Sequence, residues 1–307
     1  MSRISRKKKW SWIFAVLGVL VLSIFIYTVN IYMHLSETVS EIHEPIHREL
    51  SDMRDKPVVF KKKNPFSVLV LGVDERENDI GRSDTIIVLT VNSVLKSTKM
   101  VSIPRDTYTE IIGKEFKDKI NHAFAYGGME MAMESVEKLL DIPIDYVIQV
   151  NMESFKEIVN AVGGIKVNNS LAFKVESTTF AKGQIHLNGE EALAFVRMRY
   201  EDPRGDFGRQ DRQKLVIQAV LQKGATVSSL LNYKGIFGAI GNNVRTNITF
   251  EEMIDVQANY RDAITTINQL YIKEGNGRRI NDIWYYIMDE NELSTIQREL
   301  QTHLELY

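Results

Sequence analysis

The sequence predicts an α/β protein in which helices cover both faces of a central mixed β-sheet, preceded by one N-terminal transmembrane helix. Apolar, β-branched segments alternate with segments of helical periodicity from residue 66 onward, which is typical of α/β folds. Hydrophobic residues make up 44% of the 307 residues, enough for a substantial core. A basic start followed by a long uncharged segment predicts the membrane helix.

The N-terminal segment has the composition of a membrane anchor. No charged residue occurs from Trp12 to Val29, and a bilayer-spanning helix needs about 20 apolar residues. The positive-inside rule then predicts a cytoplasmic tail at 1–9, a transmembrane helix at 10–32 and an extracellular remainder. A cleaved signal peptide is the alternative, but residues 27–33 contain no small-x-small cleavage site.

The charge and cysteine content of the chain exclude several classes of function. The first nine residues carry five basic side chains, and the rest of the chain has 33 basic against 40 acidic residues. An acidic body argues against a nucleic-acid partner. The chain has no cysteine, which excludes disulfides, thiolate metal sites and cysteine nucleophiles.

Residues 33–63 have the pattern of an extracellular spacer ahead of one globular domain at 64–307. Apolar residues recur there at spacings of three and four, and Pro45 is expected to bend or end the helix. His43 and His47 are four residues apart, but no third zinc ligand lies near them in the sequence. We therefore interpret both histidines as solvated.

The domain reads as alternating strands and helices. Strands are predicted at 66–74, 84–92, 98–106 and 145–151, with a short extended segment at 282–288. Helices are predicted at 127–141, 152–164, 188–199, 209–225 and 250–272, and a last helix closes the chain.

Polar clusters follow the predicted strands where ligands usually bind. Asp74 ends the first strand, Arg82 and Asp84 begin the second, and Arg105 and Asp106 follow the third. In open α/β sheets, ligands occupy the crevice beyond the carboxyl ends of the strands. These side chains are therefore candidates for a binding site.

The segment "RYEDPRGDFGRQDRQ" at 199–213 concentrates arginines in an otherwise acidic body. Together with Arg82, Arg105 and Arg197, its Arg199 and Arg209 predict an anion site, because guanidinium groups bind phosphate oxygens in bidentate fashion. The glycines of the segment would let backbone and phosphate approach closely. The other charges are interpreted as surface ion pairs of little energetic weight: Glu201, Asp202, Arg204 and Asp211.

Two aspartates beside the arginines raise the possibility of a metal site. Asp74 and Asp84 are hard oxygen ligands of the kind that hold Mg²⁺ next to phosphate. The same carboxylates would equally pair with Arg82 or cap a turn, so the spacing leaves both interpretations open.

The order of these motifs resembles the LytR–CpsA–Psr family of bacterial cell-wall transferases. The matching segments run from about Pro65 to Gly224, the motif core at 65–224, with similarity beyond it. They are "VLGVDER", "GRSDTIIVLTVN", "MVSIPRDTY", "KINHAFAYGG", "VNMESF", "VGGI", "LNGEEALAFVRMR" and "DPRGDFGRQDRQ".

The resemblance implies an enzyme of the Gram-positive cell membrane. Its donor would be a polyprenyl diphosphate-linked anionic glycopolymer, most simply wall teichoic acid, and its acceptor peptidoglycan, joined as a phosphodiester with release of polyprenyl phosphate. The lipid tail would occupy a hydrophobic pocket in the domain, and the bilayer would be a further partner. The cofactor implied is Mg²⁺ (or Mn²⁺).

Residue roles follow from the same resemblance. Catalysis is expected from Arg105, Asp84 and Asp106, with either aspartate as general base or orienting group, and metal binding from Asp74 and Asp84. Asp206 is a supporting residue. The residues expected at the diphosphate are Arg82, Arg105, Arg197, Arg199, Arg209 and Gln213.

Two other functions use the same residues. A polyprenyl diphosphate hydrolase would employ water as the nucleophile, and the sequence does not separate it from a transferase. A non-catalytic binder or regulator of cell-wall polymer would keep the arginines without needing Asp74 and Asp84.

Overall fold

A computed structural model describes residues 29–306 apart from 31, 34, 35, 49, 75–80 and 225–243. The predicted tail at 1–9 and nearly all of the predicted span at 10–32 lie outside the described residues. Among the described helices, none combines the length and the apolar character needed to cross a bilayer.

The described elements alternate as the sequence pattern indicates. The described α-helices of the domain that begins at residue 64 are α1 (His122–Leu140), α2 (Met152–Ala161), α3 (Gly189–Arg197), α4 (Asp206–Gly224), α5 (Phe250–Thr265) and α6 (Glu290–His303). The first seven strands are β1 (Phe66–Val73), β2 (Ser83–Asn92), β3 (Ser97–Ser102), β4 (Tyr108–Glu110), β5 (Lys117–Lys119), β6 (Tyr146–Asn151) and β7 (Ile165–Asn169). The others are β8 (Phe173–Val175), β9 (Thr178–Phe180), β10 (Gly183–Leu187), β11 (Val244–Thr246), β12 (Ile267–Leu270), β13 (Gly275–Ile280) and β14 (Ile283–Met288).

The central sheet is mixed, as predicted. Its strands lie in the order β11-β6-β1-β2-β3-β12. Strand β2 runs antiparallel to β1 and to β3, whereas β6 is parallel to β1 and β12 is parallel to β3. The remaining strands form four two-stranded sheets around it.

Helices pack on both faces of this sheet because its central strands are apolar on both sides. Leu69 and Leu71 of β1 lie in one core cluster with side chains of α1 and α6. Val68 belongs to a second cluster that includes Tyr260 and Ala263 of α5. Successive residues of a strand point to opposite faces, so one apolar run supplies both clusters. A third cluster joins α2, α3 and the small strands around β7.

The predicted helix at 250–272 is wrong in its second part. Helix α5 ends at Thr265, and residues Ile267–Leu270 instead form β12 at the edge of the central sheet. This strand pairs in parallel with β3, a contact between distant segments that overrides the local helical pattern. Helix α1 also starts earlier than predicted, and non-helical angles at Gly127 and Gly128 kink it.

The segment assigned as a spacer packs against the domain where it is described. Val39 and Ile42 are buried, and Phe60 lies in a core cluster. Arg54 forms an ion pair of 2.7 Å with Asp145. The Nδ1 atom of His47 lies 3.1 Å from a carboxylate oxygen of Glu130, on the body of the protein.

The interpretation of Asp202 as part of a surface ion pair is wrong. Its side chain is 1% exposed and accepts a 2.5 Å hydrogen bond from Nη1 of Arg212, which is also buried. Arg212 also donates to the carbonyl oxygens of Phe195 and Met198, which ties α4 to the end of α3. A Cβ at Gly208 would clash with the Asp202 carboxylate, so this glycine makes room for a buried ion pair.

Replacing Arg212 by alanine should destabilise the fold far more than the same change at Arg204. Arg212→Ala leaves Asp202 buried without its partner, and we expect the free energy of unfolding to fall by about 3–5 kcal/mol. Arg204 is 51% exposed and pairs with Asp211, so Arg204→Ala should cost below about 1 kcal/mol. Urea unfolding of both variants measures the difference, and equal losses would contradict a structural role for the buried pair.

Candidate active site

The predicted polar residues meet at one edge of the central sheet. The carboxyl ends of β1, β3 and β6 share this edge, since those strands run in the same direction. Strand β2 is antiparallel and therefore starts there. Asp74 follows β1, Asp84 is the second residue of β2, and Arg105 lies just beyond β3. This is the edge at which open α/β sheets bind ligands.

A β-bulge places Asp84 at this edge. Gly72 pairs with Thr85 and Val73 pairs with Ser83, which leaves Asp84 without a partner on β1. An extra residue of this kind bends the strand and changes the direction of its side chain. Asp84 Oδ2 lies 2.8 Å from Nη1 of Arg105. The bulge thus positions the acid beside the arginine of the neighbouring loop.

Arg105 is the centre of a chain of ion pairs. Its Nε lies 3.8 Å from Asp106 Oδ2, in addition to the contact with Asp84, and Asp106 Oδ1 lies 2.7 Å from Nζ of Lys119. Burial lowers the pKa of Arg105, but attraction to Asp84 and Asp106 outweighs burial and raises the pKa above its usual value. Arg105 is therefore charged and held in place.

Arg209 carries positive charge that its surroundings do not fully neutralise. Its side chain is 12% exposed, and Nη2 lies 2.7 Å from Asp206 Oδ1. Burial and the nearby Arg105 and Arg199 lower its pKa, against the attraction of Asp206. The buried Nε of Arg209 has no hydrogen-bond partner among the described residues. An anion at this position would satisfy that nitrogen and separate the repelling guanidinium groups.

An apolar cavity of about 470 Å³ opens onto these charges. It lies between the sheet and helices α2, α3 and α4, and its apolar walls include Val70, Ile148, Phe155, Ile158, Val196, Ile217 and Val220. Its polar end is formed by Asp74, Asp84, Arg197, Arg209 and Gln213. One cavity thus combines apolar walls with a mouth rich in arginine and aspartate.

The structure places the other predicted residues around this mouth. Arg197 is the last residue of α3, and Met198 after it has extended backbone angles, so the chain turns there. Arg199 is 44% exposed, with Nε 3.9 Å from Asp206. Arg82 is exposed just before β2, on the same edge of the sheet. Arg209 and Gln213, one helical turn apart on α4, both line the cavity.

The apolar wall of the cavity is the part of the site that sequence reasoning missed. Ile217 and Val220 have the spacing of core residues on a helix, and nothing in the sequence distinguishes a cavity wall from a packed core. The polar mouth was predictable because arginines and aspartates at the ends of strands have no role in a core.

Comparison with known proteins finds relatives along nearly the whole chain. The protein is 51% identical to the polyisoprenyl-teichoic acid–peptidoglycan teichoic acid transferase TagU of Bacillus subtilis, over 98% of both chains. The crystal structure of B. subtilis TagU matches with a TM-score of 0.65, covering 79% of this chain and 97% of that one. A structure of TagT bound to LIIa-WTA matches at 31% identity with a TM-score of 0.73, covering 86% and 100%.

A family model agrees with these matches. The model of the LytR_cpsA_psr family aligns with residues 29–302, which include every element of the sheet and the cavity. The motif core recognised in the sequence lies within this range. The chain belongs to the LytR_cpsA_psr family.

Proposed function

We propose that this protein transfers teichoic acid from a polyisoprenyl diphosphate carrier to peptidoglycan. The observation that carries the proposal is the apolar cavity that ends in arginines, since its two parts match the two parts of a lipid-linked diphosphate. The names of full-length relatives at 47–51% identity support the same reaction.

In this proposal, the two parts of the donor would occupy the cavity and its mouth. The apolar wall would hold the isoprenoid chain away from water, which is favourable in proportion to the apolar area buried. The diphosphate would lie at the mouth, where Arg209 and Arg197 line the cavity and Arg105 lies behind Asp84. Guanidinium groups bind phosphate oxygens by charge attraction and by pairs of directional hydrogen bonds. These arginines would therefore bind the diphosphate and orient the reacting phosphorus.

The reaction proposed is the attack of a peptidoglycan hydroxyl on the phosphorus nearer the glycan. A new P–O bond forms to the hydroxyl oxygen, and the bond from that phosphorus to the bridging oxygen breaks. The bridging oxygen leaves with its electron pair as part of polyprenyl phosphate, and the hydroxyl proton passes to a base. Arginine neutralises the charge that develops on the phosphoryl oxygens, which is the main protein contribution to such chemistry.

Asp84 and Asp106 differ as acceptors of that proton. Asp106 faces Lys119 on one oxygen and Arg105 on the other, so its carboxylate is engaged in positioning Arg105. Asp84 lines the cavity and contacts Arg105 through Oδ2, with no other hydrogen bond found among the described residues. We therefore propose Asp84 as the base that accepts the proton of the attacking hydroxyl.

Mg²⁺ fits the mouth of the cavity as a metal shared with the substrate. Asp74 and Asp84 both line it, and the described residues contain no group of three side chains that could hold a metal alone. Mg²⁺ in phosphoryl-transfer sites takes one or two carboxylates and completes its shell with phosphate and water. When bound, it would neutralise phosphate charge. Because a carboxylate on a cation is a poor base, Asp74 is the ligand compatible with Asp84 as proton acceptor.

The proposed location follows from the donor. A lipid-linked substrate stays in the membrane, so the predicted anchor at 10–32 would keep the domain at the outer surface of the cell membrane, near both donor and peptidoglycan. The segment that follows the predicted anchor packs on the domain where it is described, with Val39 and Ile42 buried.

Loss of Arg209 should slow transfer strongly, whereas loss of Arg204 should leave the rate of transfer nearly unchanged. Both arginines lie in the segment 199–213, but Arg209 lines the cavity whereas Arg204 pairs with Asp211 on the surface. We expect Arg209→Ala to lower the rate of transfer by a factor of about 10²–10³, the usual effect of removing one donor to developing charge. Mass spectrometry of the glycan–phosphate–peptidoglycan adduct gives the rate.

The same assay separates transfer from its alternatives. Near wild-type adduct formation by Arg209→Ala would contradict the proposed role of the arginines. Polyprenyl phosphate released by the wild type without adduct would indicate a hydrolase, and arginine-dependent donor binding with no turnover would indicate a binding protein.

Filling the cavity should discriminate against long lipid carriers. Val220 lines the cavity from α4, so Val220→Trp would occupy volume that the distal isoprenoid units need. We expect the Kd of a long-chain donor to rise about tenfold and that of a short-chain donor to change little. Gln222→Trp on the exposed side of the same helix is the matched control. Equal effects of both tryptophans would rule out the assignment of the lipid to this cavity.

A further inference from the structure

A group of side chains beside the mouth of the cavity has no role in the donor site. Asp118 accepts hydrogen bonds from His122 Nδ1 at 2.7 Å, from Tyr126 OH at 2.9 Å and from Tyr285 OH at 3.2 Å. The backbone N–H of Lys119 donates to the same carboxylate at 2.8 Å. We call Asp118, His122, Tyr126, Tyr285 and the neighbouring Phe116 the Asp118 cluster.

Two rings of the Asp118 cluster, those of Phe116 and Tyr126, contact each other and are open to solvent. Phe116 is 48% exposed and Tyr126 is 43% exposed, with their rings edge-to-face at 5.9 Å. The carboxylate beneath them is 14% exposed, and burial alone would raise its pKa, but its hydrogen bonds from His122, Lys119 and Tyr126 lower the pKa below the usual value. A fixed, exposed patch of aromatic rings with polar groups between them is typical of a binding surface.

Residues next to Asp118 and His122 in the sequence contact Arg105 and Asp106 directly. Lys119, adjacent to Asp118, lies 2.7 Å from Asp106, which in turn faces Arg105. The backbone N–H of Asn121, adjacent to His122, donates to the carbonyl of Arg105 at 3.2 Å. The buried Oδ1 of Asn121 has no hydrogen-bond partner among the described residues. The cluster and the reacting phosphorus would therefore be neighbours.

The Asp118 cluster and the apolar cavity lie on opposite faces of the central sheet. Ile120 and Ala123, which flank the cluster in sequence, pack in the core on the α1 face. Val70 and Ile148, which line the cavity, belong to the opposite core cluster. In phosphoryl transfer the attacking and leaving oxygens are roughly in line. With polyprenyl phosphate leaving on the cavity side, the attacking hydroxyl would enter from the side of the Asp118 cluster.

We propose that the Asp118 cluster binds the glycan of the peptidoglycan acceptor. Aromatic rings cover the apolar C–H faces of sugars, and the exposed Phe116 and Tyr126 offer such rings. His122 contacts Asp118 through Nδ1, and its second ring nitrogen, Nε2, would form a hydrogen bond with a sugar hydroxyl. This inference rests on the proposed transferase function and names the surface that holds its second substrate.

The test measures acceptor and donor separately on the full chain in detergent micelles. Transfer is followed at saturating polyprenyl diphosphate-linked teichoic acid precursor, with uncrosslinked peptidoglycan oligomer as the varied substrate. For Phe116→Ala and Tyr126→Ala we expect the KM for the oligomer to rise about tenfold each, as for removal of an aromatic contact, with a smaller change in kcat. The Kd for the donor should stay at the wild-type value.

Two control variants isolate the effect of the rings. Leu95→Ala removes a side chain that is 57% exposed in the turn between β2 and β3, at the opposite edge of the sheet, and should leave both substrates unaffected. Tyr126→Phe keeps the aromatic ring and loses only the hydrogen bond from the hydroxyl to Asp118, so this variant should retain most of the affinity for the acceptor. Melting temperatures verify that each variant is folded.

The KM for the oligomer and the Kd for the donor determine whether the Asp118 cluster binds the acceptor. An unchanged KM for the oligomer in both alanine variants overturns the proposal, and so does an equal loss of donor affinity. Direct titration of the oligomer onto the protein without donor separates this inference from the proposed function. If the wild type forms no adduct but binds the oligomer, and the alanine variants bind it more weakly, the transferase function fails while the glycan site stands.

Discussion

The electrostatic repulsion between two half-buried guanidinium groups beside the polar end of the apolar cavity is the interaction on which the rest of the site depends. Arg105 and Arg209 repel each other, and burial makes that repulsion costly. Asp84, Asp106 and Asp206 offset part of the positive charge and hold the side chains in place. In the proposed function, the diphosphate of the donor would complete the neutralisation and relieve this repulsion.

The sheet supplies the rigid support that this arrangement requires. Strands β1, β3 and β6 run in the same direction and end at the same side of the sheet, and the bulge at Asp84 brings an acid into contact with the loop after β3. Helix α4 contributes Arg209 and Gln213 from the other side of the cavity, and it is fixed by the buried pair of Asp202 and Arg212. The segment 199–213 therefore contains both a buried ion pair that stabilises the fold and side chains that line the cavity, which explains its many charged residues.

Much of this organisation was predictable from the sequence, because local patterns specify it. The β-branched runs of β1, β2 and β3 and the arginines and aspartates beyond them follow rules of periodicity and strand ends. What the sequence hid depends on contacts between distant segments. Whether Asp202 is buried depends on Arg212 and Gly208, and whether residues 267–270 form a strand depends on the free edge of β3. The cavity wall could not be predicted from the sequence, because apolar residues that line a cavity have the same pattern as those of a packed core.

The identity of the lipid released in one turnover tests the central claim most directly. If the arginines act on the phosphorus nearer the glycan, cleavage of its bond to the bridging oxygen releases polyprenyl monophosphate. The phosphate nearer the glycan then appears in the peptidoglycan adduct. Mass spectrometry of both products, with the bridging oxygen of the donor labelled with a heavy isotope, should find the label in polyprenyl monophosphate. Release of polyprenyl diphosphate, with a sugar joined to peptidoglycan without phosphate, would show that the site breaks a different bond and would contradict the proposed role of the arginines.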